Sequence, residues 1–455
     1  MKEIINFINS NTESFIEELK DLLRIQSIST LPEHKEDMEK AANFVAQKIK
    51  DAGIEKVEVY QTQGHPIVYA EWLGAPGKPT VLIYGHYDVQ PADPIELWNT
   101  PPFEPTIKDG KIYARGATDD KGQMFVHIKS VESFFKTVGK LPVNVKFLIE
   151  GEEEIGSPNL YSFLKNNSKL LKCDAVLISD TSLWDEGVPT LTYGLRGISY
   201  MEIEVTGPNR DLHSGTYGGA VPNPINVLAE IISKLKDKNG RILIPGFYND
   251  VLKLTKQEKE NLKKLKYTEK EFSNSIGIKK SVGEKGYSLL ERIWSRPTLD
   301  CNGIWGGFTG KGAKTIIPSK ASAKISMRLV PNQNPKKIEK LFSDYIKKIA
   351  PDYVDVKISS IHGGSPFIAQ LDKPIMKIAA KAMSLAFGKE TVFMREGGSI
   401  PIVVEFAEKL KATPVLMGLG LDSENLHSPN EHFNLNHFRL GIISSAYFME
   451  ELSKI

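Results

Sequence analysis

Histidine and carboxylate residues recur where apolar runs of this sequence stop. Val81-Leu82-Ile83-Tyr84 leads into Gly85-His86-Tyr87-Asp88. Side chains two apart on an extended backbone face the same way, so His86 and Asp88 can share a face. A neutral imidazole at His86 suits a metal, and Asp88 could take its other ring N–H and fix the tautomer. The run Arg115-Gly116-Ala117-Thr118-Asp119-Asp120-Lys121-Gly122 sets two adjacent carboxylates before a helical pattern. A shared carboxylate is what two cations roughly 3.5–4 Å apart require. Val143 to Ile149 runs into Glu150-Gly151-Glu152-Glu153-Glu154-Ile155-Gly156-Ser157, four glutamates in five residues. A buried strand end holds so much charge only with counter-cations. Ser179-Asp180 follows Ala175 to Ile178, and His427 stands in Leu426-His427-Ser428-Pro429-Asn430-Glu431. Taken singly, each cluster also reads as a capped strand end, a helix N-cap or a solvated acidic loop. Together, His86, Asp119, Glu154, Asp180 and His427 supply two imidazoles and three carboxylates. That donor set suits zinc, manganese or cobalt rather than copper(I) or an iron–sulfur cluster.

Something must carry these residues to one place. Apolar positions three or four apart predict a helix from Asn11 or Thr12 through Leu23, and others near 37–52, after Lys121 and near 160–164. Short apolar runs at 81–84, 143–149, 175–178 and 415–418 read as buried strands. Alternating helices and buried strands predict an α/β domain with a mixed, largely parallel sheet flanked by helices. Ligands in such sheets gather at the carboxyl ends of the strands, where the clusters stand. From about Gly194 the texture changes. Residues 199–206 and 321–330 alternate apolar and polar, as half-exposed strands do. The reading is a domain built from 1–194 and 371–455, interrupted by an inserted α+β domain over 195–370. The Lys-rich stretch 254–272 reads as a solvated helix.

Composition narrows the function classes. Lys plus Arg number 58 and Asp plus Glu 56 in 455 residues, a formal charge of +2. A polyanion partner calls for clustered basic excess, so no nucleic-acid partner is expected. Cys173 and Cys301 are the two cysteines, too few for a disulfide framework or a thiolate metal site. Met1 to Phe7 shows no apolar signal core, and no apolar run approaches the ~20 residues that span a bilayer. A soluble, cytoplasmic protein with no membrane partner is expected.

The strings 84–91, Arg115 to Gly122, Glu153-Glu154-Ile155-Gly156-Ser157, Asp211-Leu212-His213-Ser214-Gly215 and Arg395-Glu396-Gly397-Gly398-Ser399-Ile400-Pro401 resemble those of the aminoacylase/carnosine-dipeptidase metallopeptidases, peptidase family M20. The resemblance runs from about Leu22 to Glu450 and is closest to the cytosolic non-specific, carnosine-type dipeptidases. It implies a zinc-peptidase-like catalytic domain and an inserted lid and dimerisation domain. It implies two divalent metal ions per subunit, zinc first and manganese or cobalt as alternatives. His86 and Asp180 would hold one, Glu154 and His427 the other, with Asp119 bridging through a cis peptide to Asp120. Asp88 would orient His86, and Glu153 would be the general base. His213 would reach the active site of the opposite subunit, so a homodimer is implied, with Thr315 a further candidate to complete the partner's site. Thr315, Arg328 and Ser399 match contacts to the substrate carboxylate; His362 and Glu396 fall on further matching positions. The implied activity is hydrolysis of short unblocked peptides, with an N-acyl-amino-acid deacylase of the same family as the alternative. Two departures stand out. Glu152 precedes the base–ligand pair, which leaves Glu152 and Glu153 open as the pair instead. Thr181-Ser182-Leu183 follows Asp180 where relatives tend to carry a tyrosine.

Overall fold

Strand runs with no polar face must be covered on both sides, and the computed structural model, which describes residues 1–398 and 400–455, covers them. The chain groups into two units: Met1–Tyr193, Ala369–Met394 and Ile402–Ile455 in one, Gly194–Ile368 and Arg395–Pro401 in the other. The segment Arg395–Pro401, read from sequence with the catalytic residues, thus groups with the inserted unit.

In the first unit the strands lie in the order Lys56–Tyr60, Ile67–Trp72, Asn144–Glu150, Thr80–His86, Ala175–Ile178, Thr413–Leu416 and Thr190–Leu195. The four from Asn144–Glu150 to Thr413–Leu416 are mutually parallel, and the flanking pairings are antiparallel. The sheet is therefore mixed. Register aligns His86 with Glu150, Tyr84 with Ile178, and Leu416 with Ile178. The polar clusters after those residues consequently leave the same edge. Helix Lys121–Val138 is buried along almost its whole first half and packs against Leu435–Leu452 and Lys2–Leu23. The first helix starts at Lys2, well before the expected Asn11–Thr12 cap. Ile4 and Ile8 extend its buried stripe, and the side chains of Asn11 and Thr12 donate one turn back to the carbonyls of Phe7 and Ile8 at 2.8 Å each. These residues can bond within a helix as well as start one.

The second unit is α+β. Its antiparallel sheet runs Thr298–Gly306, Lys320–Leu329, Gly197–Thr206, Asp355–Gly364. Met201, Ile203, Val205, Ile325, Met327 and Leu329 form one buried face, packed with residues of helices Pro224–Ser233 and Pro335–Ile349. The alternate residues, among them Tyr200, Glu202, Ser326 and Arg328, lie on the opposite face and are partly exposed. The Lys-rich stretch forms two short helices, Lys256–Lys264 and Glu269–Ser275, rather than one. Thr255 with Glu258 and Thr268 with Glu271 make a capping box at each start, the signal that divides them.

Candidate metal centre

The strand Thr80–His86 delivers a buried imidazole to the edge of the sheet. Its Nδ1 lies 3.1 Å from the Asp88 carbonyl and 3.3 Å from the Asp88 carboxylate. The Asp88 carboxylate also accepts the backbone N–H groups of Glu153 (3.2 Å) and Glu154 (3.1 Å). One buried side chain therefore fixes the ring of His86 and the turn that carries the acidic pair. On its other side, His86 Nε2 is 3.2 Å from Asp119 Oδ1 and 4.0 Å from Asp180 Oδ2. It is buried with no hydrogen bond in proper geometry. The second oxygen of Asp119 faces away, 2.9 Å from His427 Nε2, which is itself 3.3 Å from Glu154 Oε2. Two groups result: His86, Asp119 and Asp180, and Asp119, Glu154 and His427. Within each, one donor atom per residue lies within 4.8 Å of the others.

The loop 115–119 is held by a residue with no assigned role in the sequence reading. Glu431 is buried and accepts from Arg115 Nη1 (2.8 Å) and from the backbone N–H groups of Gly116 (2.9 Å), Thr118 (3.1 Å) and Asp119 (3.2 Å). The turn is so tight that a Cβ at Gly122 would lie 2.0 Å from the Ala117 carbonyl oxygen, which only glycine allows. The Asp119–Asp120 peptide is cis. Thr118 Oγ1 donates to Glu424 at 2.8 Å, and Gln90 Nε2 donates to Glu154 Oε2 at 2.8 Å. Four donors converging on Glu431 escape a reading that seeks spacing, since 312 or more positions separate Asp119 to Arg115 from it. Glu431→Ala should leave Arg115 buried without its partner. An apo-protein loss of about 3–5 kcal/mol is expected in denaturant unfolding. A change within ~0.5 kcal/mol would refute the role.

The acidic run sorts itself. Glu150 accepts from Tyr84 Oη (2.6 Å) and Ser157 Oγ (2.8 Å), and burial pushes its carboxyl up to about 8. Glu152 accepts from the backbone of His65 (3.0 Å) and Asn159 (3.1 Å). It is occupied away from His86 and Asp119, whereas Glu154 belongs to the second donor group and Glu153 adjoins it. His127 is buried between Ser179 Oγ (2.9 Å) and Ser445 Oγ (3.0 Å), and burial lowers it to about 3.

Electrostatics test whether the donor set fits cations. Burial, then the neighbouring carboxylate Asp120, pushes Asp180 well above the ordinary range. Burial raises Glu153 to about 7, with Glu154 and Asp119 adding to it. Burial opposes charge on the His86 ring, but Asp119 and Asp88 outweigh it and raise the imidazole. Carboxylates thus outnumber imidazoles in a buried pocket. Two divalent cations would relieve that excess, and the nitrogen and oxygen donors suit them.

The other described candidates lie in the second unit. His213 pairs with Ile316 across a two-residue ladder, and the Thr315 carbonyl accepts the Ser214 N–H at 3.0 Å. His213 Nδ1 accepts the backbone N–H groups of Gly215 (3.0 Å) and Thr216 (3.2 Å). In the neutral ring the proton therefore sits on Nε2. Arg328 pairs with Ile198, and His362 pairs with Tyr200, on the open face of the four-stranded sheet. The His362 and Tyr200 rings are 5.3 Å apart, edge to face. Glu396 ends the strand Val392–Glu396. Ser399 lies outside the described residues.

Comparison with known proteins decides the family. Residues 82–451 match peptidase family M20/M25/M40. The chain belongs to that family. This M20 peptidase is 34% identical to the Cys-Gly metallodipeptidase of Schizosaccharomyces pombe, covering 100% of this chain and 99% of the relative. It is 33% identical to the human Beta-Ala-His dipeptidase, covering 99% and 92%. Its fold superposes on human carnosine dipeptidase 1 with a TM-score of 0.86 at 32% identity, covering 100% and 99%. The M20 metallo-carboxypeptidase Sso-CP2 of Sulfolobus solfataricus gives 0.87 at 34% identity, covering 97% and 99%. As an M20 peptidase the chain is a metal-dependent hydrolase. Among the described residues, no helix is long and apolar enough to cross a membrane.

Proposed function

We propose that this M20 peptidase hydrolyses the peptide bond of short unblocked peptides, dipeptides foremost, with two divalent metal ions, zinc first and manganese or cobalt as alternatives. One observation carries the reading: the two oxygens of Asp119 face opposite donor groups, at 3.2 Å from His86 and 2.9 Å from His427. Bound there, two cations would supply Lewis acidity and ease deprotonation of a water between them. Glu153, whose carboxyl is raised by burial in the metal-free protein, takes a proton from the attacking water and delivers it to the leaving amine nitrogen. Asp88 keeps Glu153, Glu154 and His86 in register. His213 presents Nε2–H to the oxyanion that forms on the scissile carbonyl. Arg328, Thr315 and Ser399 receive the terminal carboxylate, for which a guanidinium fork is suited; His362 and Glu396 line the same region.

The inserted unit acts as lid and dimerisation domain, and the partner's His213 completes each site. Exposed Ile304, Trp305 and Phe308 at the edge strand support a covered surface there. Cys173 and Cys301 are unpaired, which supports a reducing, cytoplasmic setting. The deacylase reading is not favoured, since the full-length relatives at 33–34% identity carry dipeptidase names. Metal-loaded protein should release free amino acids from alanyl dipeptides and lose at least about tenfold in kcat/KM on their N-acetyl forms. Faster cleavage of the acetylated substrates would reverse the assignment.

A further inference from the structure

The open face of the inserted sheet ends in a concentration of positive charge. Directly paired residues share a face, so Arg328 stands with Ile198 and Thr298, and His362 with Tyr200. Arg196 lies two positions before Ile198 and joins that corner. Its placement is built: backbone N donates to the Gly398 carbonyl at 3.1 Å and Nε to the Gly397 carbonyl at 2.9 Å. A Cβ at Gly397 would come 2.9 Å from Arg196 Nη2, so the glycine makes room for the guanidinium. Burial, then the charge of Arg328, lowers Arg196 to about 10. Asp300 is a carboxylate that acts on both arginines, and it is already 3.6 Å from Lys236 Nζ.

Arg196, Thr298 and Asp300 also line a cavity of ≈ 700 Å³, with Lys238, Lys280 and Lys285 on its other walls. Its two other acids are engaged. Glu284 accepts from Nε and Nη2 of Arg296 at 2.7 and 3.0 Å, and Glu269 pairs with Arg292. Among the described residues none of Lys238, Lys280 and Lys285 is in a salt bridge. The cavity therefore holds more positive charge than its own carboxylates balance; its lysines are exposed, and the partly buried Arg196 is the cation that gains most from an anion.

We propose that this cavity receives the side chain of the substrate's C-terminal residue and selects an acidic one, with Arg196 the specificity-determining residue. The inference rests on the reading of Arg328 as receiver of the terminal carboxylate. Thr298, paired with Arg328 and lining the cavity, joins the two places: one guanidinium takes the main-chain carboxylate and the other the side-chain carboxylate.

The test compares isosteres on the metal-loaded full chain: Ala-Glu against Ala-Gln and Ala-Asp against Ala-Asn, with Ala-Leu as reference. The acidic member should lead by about tenfold in kcat/KM, expressed in KM. Arg196→Met should bring the ratio near one, and Arg196→Lys should restore part of it. A tether-only role would instead lower all substrates alike. Lys280→Gln with Lys285→Gln should reduce the acidic-to-amide ratio a few-fold. Should Arg196→Met fail to fold, the wild-type ratio and the double lysine variant decide. Cleavage of Ala-Leu with no acidic preference overturns the subsite and leaves the dipeptidase reading standing. Cleavage of no dipeptide overturns both.

Discussion

Metal-loaded Glu153→Gln protein is expected to turn over a dipeptide about 10²–10⁴-fold more slowly than wild type, the range for loss of a positioned proton carrier. Its metal content should equal that of wild type, because Glu153 belongs to neither donor group. The backbone N–H of residue 153 still reaches Asp88, so the turn holding Glu154 stays in place. Glutamine keeps the shape and cannot accept the proton. The effect should therefore fall on kcat, with KM nearly unchanged, in steady-state assays at saturating metal. Glu152→Gln is the internal control. Its carboxylate is tied to His65 and Asn159, so the expected cost is in unfolding, with kcat within a few-fold of wild type. Loss of rate in Glu152→Gln together with an active Glu153→Gln would move the base one residue back.

That pair illustrates how far the sequence could be read. The acidic run announced itself by four glutamates at a strand end, but a count cannot say which way each side chain turns. The 3₁₀ turn Glu153–Ile155 decides it, with its N–H groups fixed on Asp88. The central strands were legible because they are short apolar runs with no polar face, which suits parallel strands covered on both sides. The inserted sheet was legible for the opposite reason, a clean alternation with one face open. What escaped was whatever depends on contact across long separations. Glu431 binding the 115–119 loop and Arg196 tethering Gly397 and Gly398 have no local periodicity. The Asn11–Thr12 start failed because a capping residue inside a longer amphipathic stripe bonds to its own helix.

Asp119→Ala is expected to empty both donor groups at once, whereas Asp180→Ala, which belongs to one, should spare the other. After dialysis, elemental analysis of wild type should give two metal ions per chain. Asp180→Ala should keep about one, and Asp119→Ala well below one, with affinity down by more than about 100-fold. The same side chain governs a proton. In the metal-free protein, hydrogen bonding to Asp119, then Glu154, raises His427 to about 10, so the ring is charged at neutral pH. A cation must displace that proton to use Nε2. The sign follows: affinity for the second group should rise with pH up to about 10, and binding at pH 7 should release a proton to buffer. Titration calorimetry in two buffers of different ionisation enthalpy measures that proton. In Asp119→Ala the imidazole loses its first partner, so the residual binding should release less. Retention of two metals by Asp119→Ala, or pH-independent binding in wild type, would show that these five residues do not share a pair of cations.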